Sequence, residues 1–142
     1  MNRVTDVIQP YQLLDHTADL EIRVFGRTVS ELFTNAAIAL SELLFGKTTP
    51  STTPTQREAI TVMGENQEDL LVNWLSELLF RCNRERTAVI NVSIQRCIDT
   101  ECDATVGFSP ATQIDDIKAV TYHDLSMKKV GDHWEATVVF DV

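Results

Sequence analysis

Asn66-Gln67-Glu68-Asp69-Leu70-Leu71-Val72-Asn73-Trp74-Leu75-Ser76-Glu77-Leu78-Leu79-Phe80-Arg81-Cys82 is the stretch on which the fold turns. Leu70, Leu71, Trp74, Leu75, Leu78, Leu79 and Cys82 recur at spacings of three and four, so a helix here carries one broad apolar face. Asn66 is a natural N-cap, and Glu68 and Asp69 suit the positive end of the helix dipole. A face this apolar has to be covered, and it predicts the largest single contribution to the core. Trp74 reads as core filler.

Working outward toward the N-terminus, residues 57–63 alternate and read as a strand. Residues 47–56 are rich in threonine, serine and proline and read as a surface loop. They lack the glycine spacing of a phosphate-binding loop. Thr28-Val29-Ser30-Glu31 is a capping box, in which the threonine hydroxyl accepts the Glu31 amide and Glu31 reaches back. It opens a second helix that runs to about residue 45. Leu32, Phe33, Ala36, Ala37, Leu40, Leu43 and Leu44 form its apolar face, and Gly46 is its stop signal. Residues 20–25 alternate as a half-buried strand ended by Gly26, and residues 11–14 form a short strand before it.

Toward the C-terminus the chain is strand-like throughout. Residues 89–94 and 104–108 flank a turn at 99–101, and Ser109-Pro110 ends the pair. Residues 117–128 read as a long strand with an irregularity at His123-Asp124. Gly131-Asp132 turns the chain into a last strand, 134–142. Helices and strands do not alternate regularly. The expected class is therefore α+β: two helices on one face of a largely antiparallel sheet of about seven strands, in a single domain over 1–142. No internal repeat stands out.

Twelve basic residues against twenty-one acidic ones give a net charge of −9. That balance disfavours direct, high-affinity nucleic-acid binding, which needs cations against phosphates. It suits a cation, or a basic protein partner steered in by opposite charge. There is no apolar run long enough to span a bilayer and no signal-like N-terminus, so a cytoplasmic location is expected. Cys82, Cys97 and Cys102 make an odd set without a C-x-x-C pair, against a disulfide framework or thiolate zinc site. Cys97 and Cys102 flank the 99–101 turn, either as a redox pair or as packed thiols.

The residues that could carry chemistry gather in Asp15-His16-Thr17-Ala18-Asp19 and in the terminal Phe140-Asp141-Val142. Asp15, Asp19, Asp141 and the terminal oxygens at Val142 are hard donors. Such oxygens select calcium, magnesium or manganese over zinc. Clustered carboxylates also need a compensating cation or hydrogen bonds. His16 could orient a neighbouring carboxylate. The bland alternative is a turn residue at Asp15 and a solvated strand start at Asp19. Lys118, Tyr122, His123 and Asp124 form a second polar cluster, or simply the polar face of an edge strand. No Ser-His-Asp arrangement, nucleotide fingerprint or H-E-x-x-H is present. A metal-dependent phosphohydrolase using Asp15, Asp19 and Asp141, with His16 as acid or base, stands as an alternative.

Several ordered motifs together resemble the archease family. They are Asp15-His16-Thr17-Ala18-Asp19, the capped helix after Gly26, Leu71 to Leu79 in the second helix, Lys118-Ala119-Val120-Thr121-Tyr122-His123, and Val139-Phe140-Asp141-Val142. The resemblance covers residues 14–142. It implies an accessory protein of tRNA processing, not itself an enzyme, that promotes guanylylation and turnover of the tRNA-splicing RNA ligase. It implies a cation site, with calcium expected, on Asp19, Asp141 and Val142. Asp15 and His16 would support that site. The motif containing Lys118 and His123 is linked to activity and is the expected partner contact. The 47–56 loop and the cysteines have no role in the family pattern.

Overall fold

The computed structural model describes residues 9–14, 19–47 and 53–142. Among these residues, seven strands and two helices follow one another as β1 (Tyr11–Leu14), β2 (Leu20–Gly26), α1 (Val29–Phe45), β3 (Gln56–Met63), α2 (Gln67–Glu85), β4 (Thr87–Ile98), β5 (Glu101–Pro110), β6 (Ala119–Val130) and β7 (His133–Asp141). The expected α+β class and its element count are observed. The strands, however, form two sheets rather than one, ordered β1-β2-β7-β6 and β3-β5-β4. Every pairing is antiparallel.

Both helices touch both sheets. α1 packs chiefly on β4 and β2, and α2 chiefly on β6, with further contacts to β3, β4 and β5. One apolar cluster fills the space between them, including Ile22, Val24, Leu32, Phe33, Leu40, Ile60, Leu71, Trp74, Leu75, Val106 and Phe140. Trp74 is wholly buried. Its indole Nε1 donates to the Phe33 carbonyl at 2.9 Å, and the two rings lie 6.2 Å apart. The indole thus bridges the helices with its polar atom satisfied.

A repeat emerges that the sequence reading missed. Gly26, Thr28, Glu31, Leu32 and Asn35 lead β2 into α1. Gly64, Asn66, Asp69, Leu70 and Asn73 lead β3 into α2 at the same spacing. The caps match: Glu31 N donates to Thr28 Oγ1 at 3.0 Å, and Asp69 N to Asn66 Oδ1 at 2.8 Å. In each unit the acidic residue accepts the amide just before the cap, Arg27 N at 2.6 Å and Glu65 N at 2.9 Å. The reciprocal bond of the expected capping box therefore falls one residue earlier than the pattern implied. Asn35 and Asn73 then reach back to the strand carbonyls of Phe25 and Met63, at 2.8 and 2.7 Å. The glycines are obligatory because the strand ends against the helix backbone. A Cβ on Gly26 would lie 2.4 Å from Leu32 N, and one on Gly64 would lie 2.6 Å from Leu70 N.

Helix ends differ. Gly46 stops α1 with φ of 78°, its amide bonding Glu42 O at 2.8 Å. α2 runs three residues past Cys82 and ends on Arg86 in the left-handed region, φ 54°. A salt bridge from Arg81 to Glu58 fastens α2 to β3, and Arg81 also pairs with Glu77 one turn back in α2.

Candidate functional site

The four-stranded sheet decides where the candidate residues go. β7 lies inside it, between β2 and β6. Its last core residue, the fully buried Phe140, faces Leu20 of β2 on one side and Val120 of β6 on the other. One residue farther out, Asp141 faces Ala119. The β2–β7 ladder ends at Leu20–Phe140, so Asp19, just before β2, and Asp141, just after Phe140, both lie at this end of the sheet. Side chains alternate along a strand. Since Phe140 points into the core, Asp141 projects away from it, and it is exposed. Asp19 is half-buried, and Val142 is partly exposed. The strand end is held in place, because Lys118 N donates to the Asp141 carbonyl at 2.8 Å.

Asp19, Asp141, Val142 and Lys118 are thus brought to one end of one sheet by hydrogen-bonded register. The first two are carboxylates with no side-chain hydrogen bond or ion pair among the described residues. Asp15 and His16 lie outside the described residues. Among the described residues, no three His, Cys, Asp or Glu side chains gather closely enough to hold a metal. Among the described residues, the donors this end offers a cation are Asp19, Asp141 and main-chain oxygens. That donor set is all hard oxygen, fitting calcium, magnesium or manganese.

His123 sits apart from this end. Between the pairs Thr121–Val139 and Ser126–Thr137, β6 spends residues 122–125 against Val138 alone. This is the irregularity expected at His123-Asp124. Asp124 adopts φ of 51°, which an aspartate tolerates better than most residues. The bulge pushes Tyr122, His123 and Asp124 to the surface. Tyr122 OH donates to Asp69 Oδ1 at 2.6 Å, tying the bulge to the start of α2. That bond, with a second from the Glu65 amide, holds the Asp69 carboxyl below its usual range. The same bond pushes the Tyr122 phenol up. His123 Nε2 lies 3.2 Å from Asp124 Oδ2.

Beside Lys118 the structure opens a groove of about 490 Å³ between α2 and β6, lined among others by Leu79, Phe80, Asn83, Arg84 and Val120. Phe80 is 56% exposed, and the Arg84 guanidinium lies 5.0 Å from its ring centre. The sequence held a signal for it. Phe80 falls off the apolar face of α2, and Arg84 follows at i+4, the spacing of facing helical neighbours.

Among the described residues no helix is long and apolar enough to cross a membrane. The family model for the archease protein family matches residues 11–142. Protein archease of Methanosarcina barkeri is 34% identical over 146 residues, covering 93% of this chain and 95% of that protein. Protein archease of Methanosarcina mazei is 31% identical over 141 residues, with the same coverage. The solution structure of Methanobacterium thermoautotrophicum protein 1598 superposes with a TM-score of 0.75 at 26% identity, covering 94% of this chain and 99% of that one. The crystal structure of a Thermotoga maritima archease, described as a possible chaperone, shares the fold with a TM-score of 0.64 at 23% identity, covering 91% of this chain and 94% of that one. With the motifs, the two-sheet fold and these matches in agreement, the chain belongs to the archease family.

Proposed function

We propose that this chain is an accessory activator of the tRNA-splicing RNA ligase, promoting its guanylylation and repeated turnover without catalysing a reaction of its own. The observation that carries the reading is the Leu20–Phe140 register, which brings the strand ends bearing Asp19 and Asp141 to one end of the sheet, beside Lys118. Family membership supports it. So does the net charge of −9, which favours approach to a basic pocket built for GTP and RNA phosphates.

Asp19 and Asp141 would hold a divalent cation, with Val142 main-chain oxygens completing the donor set and calcium the expected ion. When bound, such an ion supplies positive charge near the transferring nucleotide. The chain's own part is positional. Lys118 N fixes the Asp141 carbonyl, and the β2–β7 pairing holds the ends that carry Asp19 and Asp141 together. Lys118 and His123, both exposed, are proposed to face the ligase.

The test is a mixture of ligase, GTP and either wild type or Asp141→Asn, read as covalent ligase–guanylate. The wild type should stimulate and the variant should not. Equal stimulation would remove this end of the sheet from the activity. The description of the Thermotoga maritima relative as a possible chaperone supports a second reading, general client protection. It predicts suppressed aggregation of unrelated proteins with no preference for the ligase. A phosphohydrolase, by contrast, would turn over a phosphate ester with the purified chain alone.

A further inference from the structure

Cys97 and Cys102 stand opposite each other across the β4–β5 hairpin. Only Asp99 and Thr100 form the turn, so Ile98 and Glu101 close it as the hydrogen-bonded pair. Pairs alternate along an antiparallel ladder, which makes the cysteines a non-hydrogen-bonded pair. At that position the Cα atoms approach to about 4.5 Å, within the roughly 4.4–6.8 Å that a disulfide bridges. Residues directly opposite in such a pair project on the same face of the ladder, so the two thiols face each other. Their surroundings differ. Cys102 is wholly buried, in the same row as Val62 of β3, whereas Cys97 is half-buried.

We propose that Cys97 and Cys102 are a thiol-modification site, a dithiol–disulfide couple in which Cys97 meets a small-molecule disulfide and Cys102 resolves it. The Cys97 thiolate attacks one sulfur of oxidised glutathione. The glutathione S–S bond breaks and one glutathione thiolate leaves. Cys102 then gives its proton to solvent and attacks Cys97 Sγ, and the second glutathione leaves as a thiolate that takes up a proton. Two protein thiols are oxidised by two electrons, and one glutathione disulfide becomes two glutathione thiols.

The difference in burial assigns the roles. The neighbouring Cys102 thiol holds the Cys97 thiol below its usual range, while Cys102 is pushed up by Cys97 and by burial. The more exposed sulfur is thus the better nucleophile, and the buried one is already placed against it. Cys82, on the core face of α2, is pushed up to about 12 by burial and stays a bystander. The closed loop is so short that strand register need not change.

The test incubates the full chain with oxidised glutathione, quenches, and maps thiols by mass spectrometry. The expected product has lost two hydrogens and yields a peptide linked Cys97 to Cys102, with Cys82 alkylated only after unfolding. Cys102→Ala should instead accumulate a glutathione adduct on Cys97. Cys97→Ser, changed at the less buried position, should take up no glutathione at all. A lasting Cys97 adduct in the native chain, a linkage through Cys82, or no reaction would each overturn the proposal. The native-chain map decides the matter even where the Cys102 variant does not fold.

Discussion

Gly26→Ala and Gly64→Ala should damage the fold comparably, because they strike the same point of the two repeated units. At Gly26 a new methyl would lie 2.4 Å from Leu32 N and 2.8 Å from Leu32 Cα. That is about 1 Å short of ordinary contact, and at Gly64 the nearest approach to Leu70 N is 2.6 Å. The obstructing atoms are helix backbone, so no side chain can swing aside. The first turn of each helix has to move, drawing the fully buried Leu32 or Leu70 with it and straining the cap. Overpacking of this kind costs about 1–3 kcal/mol, and a damaged N-cap adds about 1 kcal/mol. Each variant should therefore lose about 2–4 kcal/mol. With a urea slope of about 2 kcal/mol/M, the middle of the usual range, the unfolding midpoint should fall by about 1–2 M. Gly131→Ala is the control. Its φ is +63° but nothing lies within 4 Å, so only the left-handed backbone penalty of about 1–2 kcal/mol remains. Urea unfolding followed by tryptophan fluorescence measures all three. A midpoint for Gly26→Ala or Gly64→Ala no lower than that of Gly131→Ala would refute the claim that strand and helix backbones meet at these glycines.

Ser41→Ala should cost about 1–3 kcal/mol, because Val89 N donates to Ser41 Oγ at 2.9 Å in a buried setting and would lose its acceptor; an unchanged melting temperature would count against it. Tyr122→Phe should raise the Asp69 carboxyl toward its ordinary value, readable by carboxyl-carbon NMR titration. Because Asp69 is depressed in the folded chain, its stabilisation is full above the ordinary value of 3.8 and is lost as pH falls through the folded value. The wild-type advantage over Tyr122→Phe from this group should thus be present at neutral pH and fade below about pH 4; an advantage that grows on acidification would contradict the assignment. Calcium should raise the melting temperature of the wild type, by about 2.7 kcal/mol of stabilisation at a hundredfold excess over Kd. Asp19→Asn and Asp141→Asn should each largely abolish that shift, and an undiminished shift in both would place any ion elsewhere.

Local chemistry determined much of this protein from sequence alone. Caps at Thr28 and Asn66, the apolar faces of α1 and α2, the stop at Gly46 and the broken period at His123-Asp124 are all written within a few neighbouring residues, and all are observed. The acidic pair, Asp19 and Asp141, was also legible as residue types. The repeated β-α unit was present in the spacing but carries few identical residues, so it emerged only when equivalent hydrogen bonds could be compared. Tertiary structure alone decided that the strands divide into two sheets, that β7 runs between β2 and β6, and that Asp19 and Asp141 therefore come to one end of one sheet. It also exposed the Phe80–Arg84 groove beside Lys118. The physical reason is the range of the forces involved. A helix cap or a strand period is satisfied by atoms a few residues away. The partner of a strand is chosen by backbone hydrogen bonds and shared burial between segments remote in sequence, which leave no local trace.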